Sequence, residues 1–279
     1  MLFSEQLRVT RHSQCAPSWY QIGFDAPHFA AETVPGQFFM VGVGSGTDPF
    51  LRRPMSLYRF VRDKSGDPTG FELLYKVVGR GTELLSKVCV GDTVPVLGPL
   101  GHGFTIVQGA TRHMIVAGGT GVAAVVCLAE ALVQSGFTPE VRYGARTRTD
   151  LPCLQDFERL NADVSVFTED GSAGVKGLVT HGLEDSLSKL PNGDTSNSAM
   201  AIYGCGPHGM LAAVARLAGR AGVPCQLSLE SRMGCGLGAC MSCVVRAAEA
   251  GPEGGPHYIR VCLQGPVIDS RRILWEDRT

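Results

Sequence analysis

Four cysteines toward the end of the sequence constrain this chain more than any other feature: Cys235, Cys240, Cys243 and Cys262. The first three are spaced C-x4-C-x2-C and the fourth lies downstream, which is the spacing of plant-type [2Fe-2S] ligation. The reason is geometric. A tight loop wraps one side of a two-iron cluster and gives three thiolates, while a remote residue closes the fourth position. Gly234, Gly236, Gly238 and Ala239 leave room for the backbone to fold around the cluster and aim N–H groups at its sulfurs. The competing reading is a zinc ion with four cysteine ligands. Zinc sites draw their ligands from two short hooks of paired cysteines, and only Cys240 and Cys243 have that form here. The wider, glycine-interleaved step from Cys235 to Cys240 favours the cluster.

The other six of the ten cysteines, Cys15, Cys89, Cys127, Cys153, Cys205 and Cys225, are scattered singly. That asymmetry places a metal site at one end of the chain. The N-terminal stretch MLFSEQLRVTRHSQCAPSWYQIGF lacks an apolar h-region and a small-residue cleavage site, so a cytosolic chain with reduced thiols is expected. Twenty-five Lys and Arg against 26 Asp and Glu leave no electrostatic footprint for nucleic acid. One stretch, Met114 to Val133, is apolar enough to suggest a membrane span. Its Gly118-Gly119-Thr120-Gly121 and Glu130 read better as a buried strand, a glycine turn and a buried helix, so no membrane partner is expected.

At 279 residues the chain has room for two or three domains, and three textures divide it. Residues 1–108 read as short strands, such as Gln37–Val41, Ser56–Phe60 and Phe71–Val78. Turn signals at Pro35-Gly36, Ser65–Pro68 and Val90–Asp92 separate them, which predicts a small antiparallel barrel. Residues 109–222 alternate strand and helix patterns. Strands are expected at Met114–Ala117, Glu140–Gly144, Asp163–Phe167 and Ala199–Tyr203, in an open parallel α/β sheet that binds ligands at the carboxyl ends of its strands. Residues 223–279 are Gly-rich and Cys-rich, and Ala247–His257 reads as a surface loop.

Two further motifs carry chemistry. Arg53-Pro54-Met55-Ser56 begins a barrel strand, where the Arg can pair with a diphosphate and the Ser hydroxyl can meet a flavin ring edge. Gly79-Arg80-Gly81-Thr82 opens a short helical stretch whose N–H groups offer a second hold on that diphosphate. Taken alone, an Arg-Arg-Pro is as readily a solvated turn. On the other domain, Gly118-Gly119-Thr120-Gly121 follows a strand and opens a helix, where a dinucleotide can approach the backbone, although it is not the G-x-G-x-x-G fingerprint. Cys205-Gly206-Pro207 repeats the strand-to-helix placement. Cys205 then either lies beside a nicotinamide ring or is a small core residue. Arg146 and Arg148 follow the second strand, where cations can receive a 2′-phosphate or stand solvated, so the choice between NAD and NADP stays open.

Together these segments resemble the ferredoxin reductase superfamily, and more narrowly the electron-transfer subunits of NAD-linked dihydroorotate dehydrogenase. The carriers are Arg53–Ser56, Leu74–Lys76 with Gly81-Thr82, Thr168–Ser172, Tyr203–Pro207 and Leu229–Cys240. The resemblance covers nearly the whole chain. It implies an antiparallel FAD-binding barrel, a parallel-sheet NAD-binding domain and a small C-terminal [2Fe-2S] domain. By the same resemblance FAD contacts fall on Arg53, Pro54, Met55, Ser56, Leu74, Tyr75, Lys76, Gly81 and Thr82. The cluster ligands are then Cys235, Cys240, Cys243 and Cys262. Three departures stand out: Met55 where the wider superfamily places Tyr, a longer loop before Cys262, and Gln264 where the family tends to carry an acidic residue.

The implied circuit joins a two-electron donor to a one-electron acceptor, which a flavin between them reconciles. Hydride transfer needs no protein acid or base, so no catalytic residue is nominated. The resemblance implies electrons from an FMN-containing dihydroorotate dehydrogenase catalytic subunit, passing through the cluster and FAD to NAD+, in a heterotetramer serving pyrimidine biosynthesis. An NAD(P)H:ferredoxin-type reductase subunit with another redox partner is the enzymatic alternative. A zinc-bearing binding module is the non-enzymatic one.

Overall fold

The structure, a computed structural model, describes residues 1–43, 48–188, 200–251 and 254–275. Ala199 of the expected fourth sheet strand, and Pro252 and Glu253 of the expected loop, lie outside the described residues.

Strands β1 (Phe3–Ala16), β2 (Trp19–Asp25), β3 (Phe38–Val41), β4 (Arg53–Arg62), β5 (Pro68–Lys76) and β6 (Thr93–Leu100) close an antiparallel barrel in the order β1-β2-β5-β4-β3-β6. The seam is β1 against β6, paired from Phe3↔Gly98 to Arg8↔Thr93, and closure leaves the sheet no free edge. Inward residues fill the interior, among them Ile22, Phe24, Val41, Leu57 and Leu73. Phe39 and Phe71 stack at 4.2 Å between ring centroids. Helix α1 (Pro27–Glu32) starts on a proline, which suits a first turn, and seats Phe29 in the same core. Helix α2 (Arg80–Leu85) follows β5. The long β1 has only Leu7 and Val9 buried, so it carries almost no apolar alternation.

The second sheet is built from β7 (Arg112–Gly118), α3 (Val122–Gln134), β8 (Glu140–Ala145), α4 (Leu154–Arg159), β9 (Asp163–Thr168), β10 (Val175–Lys176), α5 (Val179–Ser188), β11 (Met200–Cys205), α6 (His208–Ala221) and β12 (Cys225–Ser228). The C-terminal stretch adds β13 (Val244–Arg246), β14 (Tyr258–Arg260), α7 (Val261–Gln264) and β15 (Val267–Asp269). Sheet order is β10-β9-β8-β7-β11-β12-β15, parallel except for β15, which runs antiparallel to β12. Strand β7 is buried on both faces, as a central parallel strand must be, which explains its unbroken Met114–Ala117 run. Helix α3 is apolar nearly all round because it packs on the sheet and on barrel strand β4 at once. The Met114–Val133 stretch is therefore a strand, a turn and a helix, and no helix among the described residues is long and apolar enough to cross a membrane.

The third segment, expected to begin at 223, is joined to this sheet. Its strands β12 and β15 extend it, because Leu227 and Ile268 bury their side chains in the core cluster formed with β7 and β11. The remainder is the β13–β14 hairpin and the irregular loop that leads into it.

Polar contacts lock barrel to sheet around one segment, residues 150–159. The Lys76 ammonium meets the Asp150 carboxylate at 2.6 Å. The Arg59 guanidinium reaches Asp156 at 2.7 Å and donates to the Tyr58 hydroxyl at 2.7 Å, and that hydroxyl donates to Asp156. Burial pushes the Tyr58 phenol well above its ordinary range, so it stays a donor.

Candidate cofactor sites

Residues Leu229 to Ser242, between β12 and β13, form no helix or strand, and their shape is set by backbone donors and glycines. Gly236 and Gly238 take φ of +74° and +79°, the left-handed region that side chains disfavour. A Cβ at Gly236 would lie 2.6 Å from Cγ of Met40, so the loop rests directly on the barrel. The Leu237 N–H donates to Cys235 Sγ at 3.3 Å, and the Gly238 N–H donates to Cys262 Sγ at 3.1 Å. The Cys262 N–H points at Cys243 Sγ, 3.4 Å away.

The four sulfurs come as two pairs. Cys240 lies close enough to Cys235, and Cys262 to Cys243, for each to shift its neighbour's thiol. The first pair faces outward and the second is buried. The Ser242 hydroxyl, 3.1 Å from Cys240 Sγ, holds that thiol down to about 6, so its thiolate is favoured. Two pairs of thiols with N–H donors aimed at their sulfurs fit a two-iron cluster, in which each iron takes two thiolates.

A cleft of about 310 Å³ lies between the barrel and this loop. Arg53, Pro54, Met55 and Ser56 of β4 wall one side, with Leu74, Tyr75 and Lys76 of β5 and Thr82 of α2. The other side is Thr120, Ala123, Cys205, Leu229, Glu230, Ser231 and Met233. Gly81 is not in the wall. It is glycine because the Arg53 side chain crosses it: a Cβ there would sit 2.0 Å from Nε of Arg53. The Arg53 guanidinium also donates to the Leu51 carbonyl. Thr82 turns its hydroxyl back to accept from the Val78 and Gly79 N–H groups. Tyr75 is fixed by His12, whose Nε2 lies 2.8 Å from the phenol oxygen, and burial pushes that phenol up.

A second cleft, about 540 Å³, opens at the carboxyl ends of β7, β8 and β11, where an open α/β sheet binds its ligands. Gly118, Gly119 and Thr120 line it beside Pro207, Gly144, Ala145 and Arg146. Trp19 and Lys76 close it from the barrel side, and Asp150 of the sheet domain, paired with Lys76, lies beside them. Trp19 keeps a buried indole N–H with no protein acceptor, a donor that the walls leave unspent. Gly121 and Gly206 stand behind this wall. A Cβ at Gly121 would fall 2.2 Å from the Cys205 carbonyl oxygen, so these glycines let two strand ends touch.

The structure thus splits the expected residues by role. Cys205 is buried and also walls the first cleft, where burial pushes its thiol up and the Ser228 hydroxyl bonds it. Arg146 lines the second cleft, while Arg148 lines a separate cavity between β1 and α4. Trp19 and Asp150 were not singled out in the sequence, and Glu169 and Glu230 stood in the strings that carry the resemblance without a role of their own. Thr120 Oγ1 donates to Glu230 Oε1 at 2.9 Å, joining residues far apart in the chain. No local spacing signals such a pair.

Residues 230–274 match the family described as "Iron-sulfur cluster binding domain of dihydroorotate dehydrogenase B", and residues 115–216 match "Oxidoreductase NAD-binding domain". The chain is 39% identical to the "Dihydroorotate dehydrogenase B (NAD(+)), electron transfer subunit" of Desulforamulus reducens, over 94% of each chain. It is 35% identical to the protein of that name from Caldanaerobacter subterraneus subsp. tengcongensis, over 99% of this chain and all of the relative. Among solved structures, an NADH-dependent reduced ferredoxin-NADP oxidoreductase superposes with TM-score 0.77 at 27% identity, covering 97% of this chain and 90% of that one. Phthalate dioxygenase reductase shares the fold with TM-score 0.60 at 18% identity, over 93% and 94%.

Proposed function

The chain belongs to the family of dihydroorotate dehydrogenase B electron transfer subunits, and on that premise we propose that it carries electrons from dihydroorotate to NAD+ in pyrimidine biosynthesis. Dihydroorotate is oxidised at FMN in a separate catalytic subunit, and the electrons pass through a [2Fe-2S] cluster and FAD on this chain.

The observation that carries this reading is contiguity. Lys76 and Thr120 wall both clefts, so whatever fills one lies against whatever fills the other. Leu229, Glu230, Ser231 and Met233 wall the first cleft, and the chain runs from them straight into Cys235. Three sites therefore lie in series, with the first cleft in the middle. A flavin bound there exchanges electrons in pairs with a nicotinamide and singly with a cluster.

The residues divide the remaining work. Cys235, Cys240, Cys243 and Cys262 hold the cluster, and the N–H groups of Leu237 and Gly238 stabilise charge on its sulfurs. Arg53 supplies a fixed cation for the FAD diphosphate, Ser56 and Lys76 offer donors, and Pro54, Met55, Leu74 and Tyr75 give the ring an apolar seat. Gly118, Gly119, Thr120 and Pro207 seat the nicotinamide dinucleotide, with Trp19 and Lys76 excluding water from the barrel side. Nothing here has to move a proton, so Lys76 and Glu230 at the junction are assigned to binding and not to acid or base work. Exposed Leu237, Met241 and Leu263 form an apolar rim around the cluster loop and suit docking of the catalytic subunit, in a heterotetramer of two chains of each kind acting in the cytoplasm.

The test is an anaerobic titration of the purified chain. About two irons, two sulfides and one FAD per chain are expected. NADH should bleach the flavin directly, whereas dihydroorotate should reduce the chain only when the catalytic subunit is added. The second reading, a reductase subunit for another redox partner, draws on the 0.77 TM-score likeness and on Arg146 in the second cleft. Reduction by ferredoxin, with none by dihydroorotate and the catalytic subunit together, would select it.

A further inference from the structure

A third cavity, about 790 Å³, lies apart from both clefts, between the end of β1 and the start of α4. Cys15 and Cys153 wall it together, beside Arg11 and Arg148. They sit far apart in the sequence and on different domains, yet they line the same cavity and each thiol is close enough to perturb the other.

Both backbones are bent to bring this about. Pairing of β1 with β2 slips between Gln14 and Ala16, so Cys15 stands in a bulge that turns its side chain away from the strand's regular alternation. Cys153 takes φ of +67°, in the left-handed region where non-glycine residues are uncommon. Cys15 is exposed and Cys153 half-buried, so small solutes reach the pair. Among the other cysteines outside the cluster loop, Cys127, Cys205 and Cys225 are buried, and exposed Cys89 bonds only the Lys87 carbonyl.

We propose that Cys15 and Cys153 form a redox modification site, in which a hydroperoxide converts the two thiols into a disulfide that ties the barrel to the parallel-sheet domain. The roles of the two sulfurs follow from their surroundings. The neighbouring Cys153 pulls the Cys15 thiol down to about 7, whereas Cys153 is pushed up by Cys15 and by burial. Cys15 is also the exposed sulfur of the two, so a peroxide meets it first, which makes it the nucleophile and Cys153 the resolving thiol.

The step balances as follows. The Cys15 sulfur attacks one oxygen of hydrogen peroxide, the O–O bond breaks, and the departing hydroxide leaves as water with the thiol proton. The Cys153 sulfur then attacks the resulting sulfenic sulfur. An S–S bond forms, the S–O bond breaks, and the hydroxyl leaves as a second water with the Cys153 proton. Two electrons pass from the thiols to the peroxide. In a reducing compartment such a bond is transient, because a dithiol reverses it by exchange. The bond would add a covalent tie at residues 150–159, the segment that already holds Lys76 and Arg59 of the barrel.

The test uses the full chain with its cofactors, reduced with dithiothreitol, desalted and treated with stoichiometric hydrogen peroxide. Free thiols are then alkylated and the chain is digested without reductant for mass mapping. The expected result is a cross-linked Cys15–Cys153 peptide pair, two hydrogens lighter than its parts, that disappears with dithiothreitol. In Cys153→Ser the pair should vanish, and Cys15 should instead trap dimedone as a sulfenic acid. Cys89 should stay alkylated throughout. Full alkylation of both Cys15 and Cys153 after peroxide would overturn the proposal, as would a lasting dimedone adduct on Cys15 of the unaltered chain.

Discussion

The cluster loop and the first cleft are built by opposite means. The loop collects three of its four thiols within nine consecutive residues, Cys235 to Cys243, and shapes itself with its own glycines and N–H groups. The cleft gathers single side chains from strands, turns and loops spread from Phe38 to Pro266, and owes its shape to the barrel and sheet behind it. The first is a local device with a chemical spacing. The second is a product of tertiary structure, and its residue types, an Arg, a Ser, a Leu, recur on any surface. If that contrast is real, damage to the loop should stay in the loop, and damage to the cleft should leave the loop intact.

The sharpest break is Cys240→Ser. Cys240 is exposed, so its loss leaves the core packing alone while removing one thiolate. Cluster iron and sulfide should fall to background, and transfer to the catalytic subunit should stop. FAD content and NADH-driven reduction of the flavin should persist. Retention of iron in this variant would remove Cys240 from the ligand set. The mirror experiment is Arg53→Ala. It deletes a charged donor worth about 1.5–3 kcal/mol, so FAD should bind roughly 10- to 100-fold more weakly. Its iron content should not change. A variant that lost iron along with FAD would show that loop and cleft are one cooperative unit.

This contrast also decides what was legible in the sequence. The cysteine spacing pointed to two irons because ligand geometry is written in consecutive residues. The runs Gln37–Val41, Ser56–Phe60 and Met114–Ala117 located the strands that the structure gives as Phe38–Val41, Arg53–Arg62 and Arg112–Gly118, without the ends of the last two. Strand β1 was not, because most of its side chains face solvent and leave no pattern. The short β12 and β15 were hidden for another reason: four and three residues carry no period, and only their pairing places them in the sheet. Trp19 and Asp150 in the second cleft, the Thr120–Glu230 bond and the Cys15–Cys153 contact all join residues distant in the chain. A single sequence has no means of expressing them. The flavin residues were legible chiefly through resemblance, since physics alone left Arg53 as readily a solvated turn.

A finer test lies inside the loop, where two glycines share a backbone conformation and differ in what surrounds them. At Gly236 an added Cβ meets Met40 Cγ at 2.6 Å, while at Gly238 the nearest atom is Leu263 Cδ2 at 3.1 Å, on a more exposed side chain. Both substitutions to Ala incur the left-handed backbone penalty, about 1–3 kcal/mol. Only Gly236→Ala adds a clash with the barrel. Iron loss to a chelator should therefore accelerate in both, and more in Gly236→Ala. Equal rates would mean that the loop's contact with the barrel contributes nothing to holding the cluster.

The smallest effect is expected at Glu130, on α3 where it packs against the barrel. Burial lifts its carboxyl to about 6, against the pull of Arg59 and Arg62. The folded state therefore holds this proton more tightly than the unfolded chain does. Its favourable contribution is complete below the ordinary value of 4.5 and is lost as pH rises through about 6. At 1.36 kcal/mol per pH unit that is at most about 2 kcal/mol. Glu130→Gln keeps the shape and removes the titration. Denaturant unfolding followed by tryptophan fluorescence should show little difference from the unaltered chain at about pH 4, a gain for the variant that grows as pH rises from about 4.5 to about 6, and a level gain above about pH 7. Because Glu130 belongs to the scaffold behind the clefts and touches nothing in the loop, iron loss to a chelator should be the same in both proteins at every pH. A pH-dependent change in iron retention would mean that strain in the scaffold reaches the cluster, and the local character assigned to the loop would then be wrong.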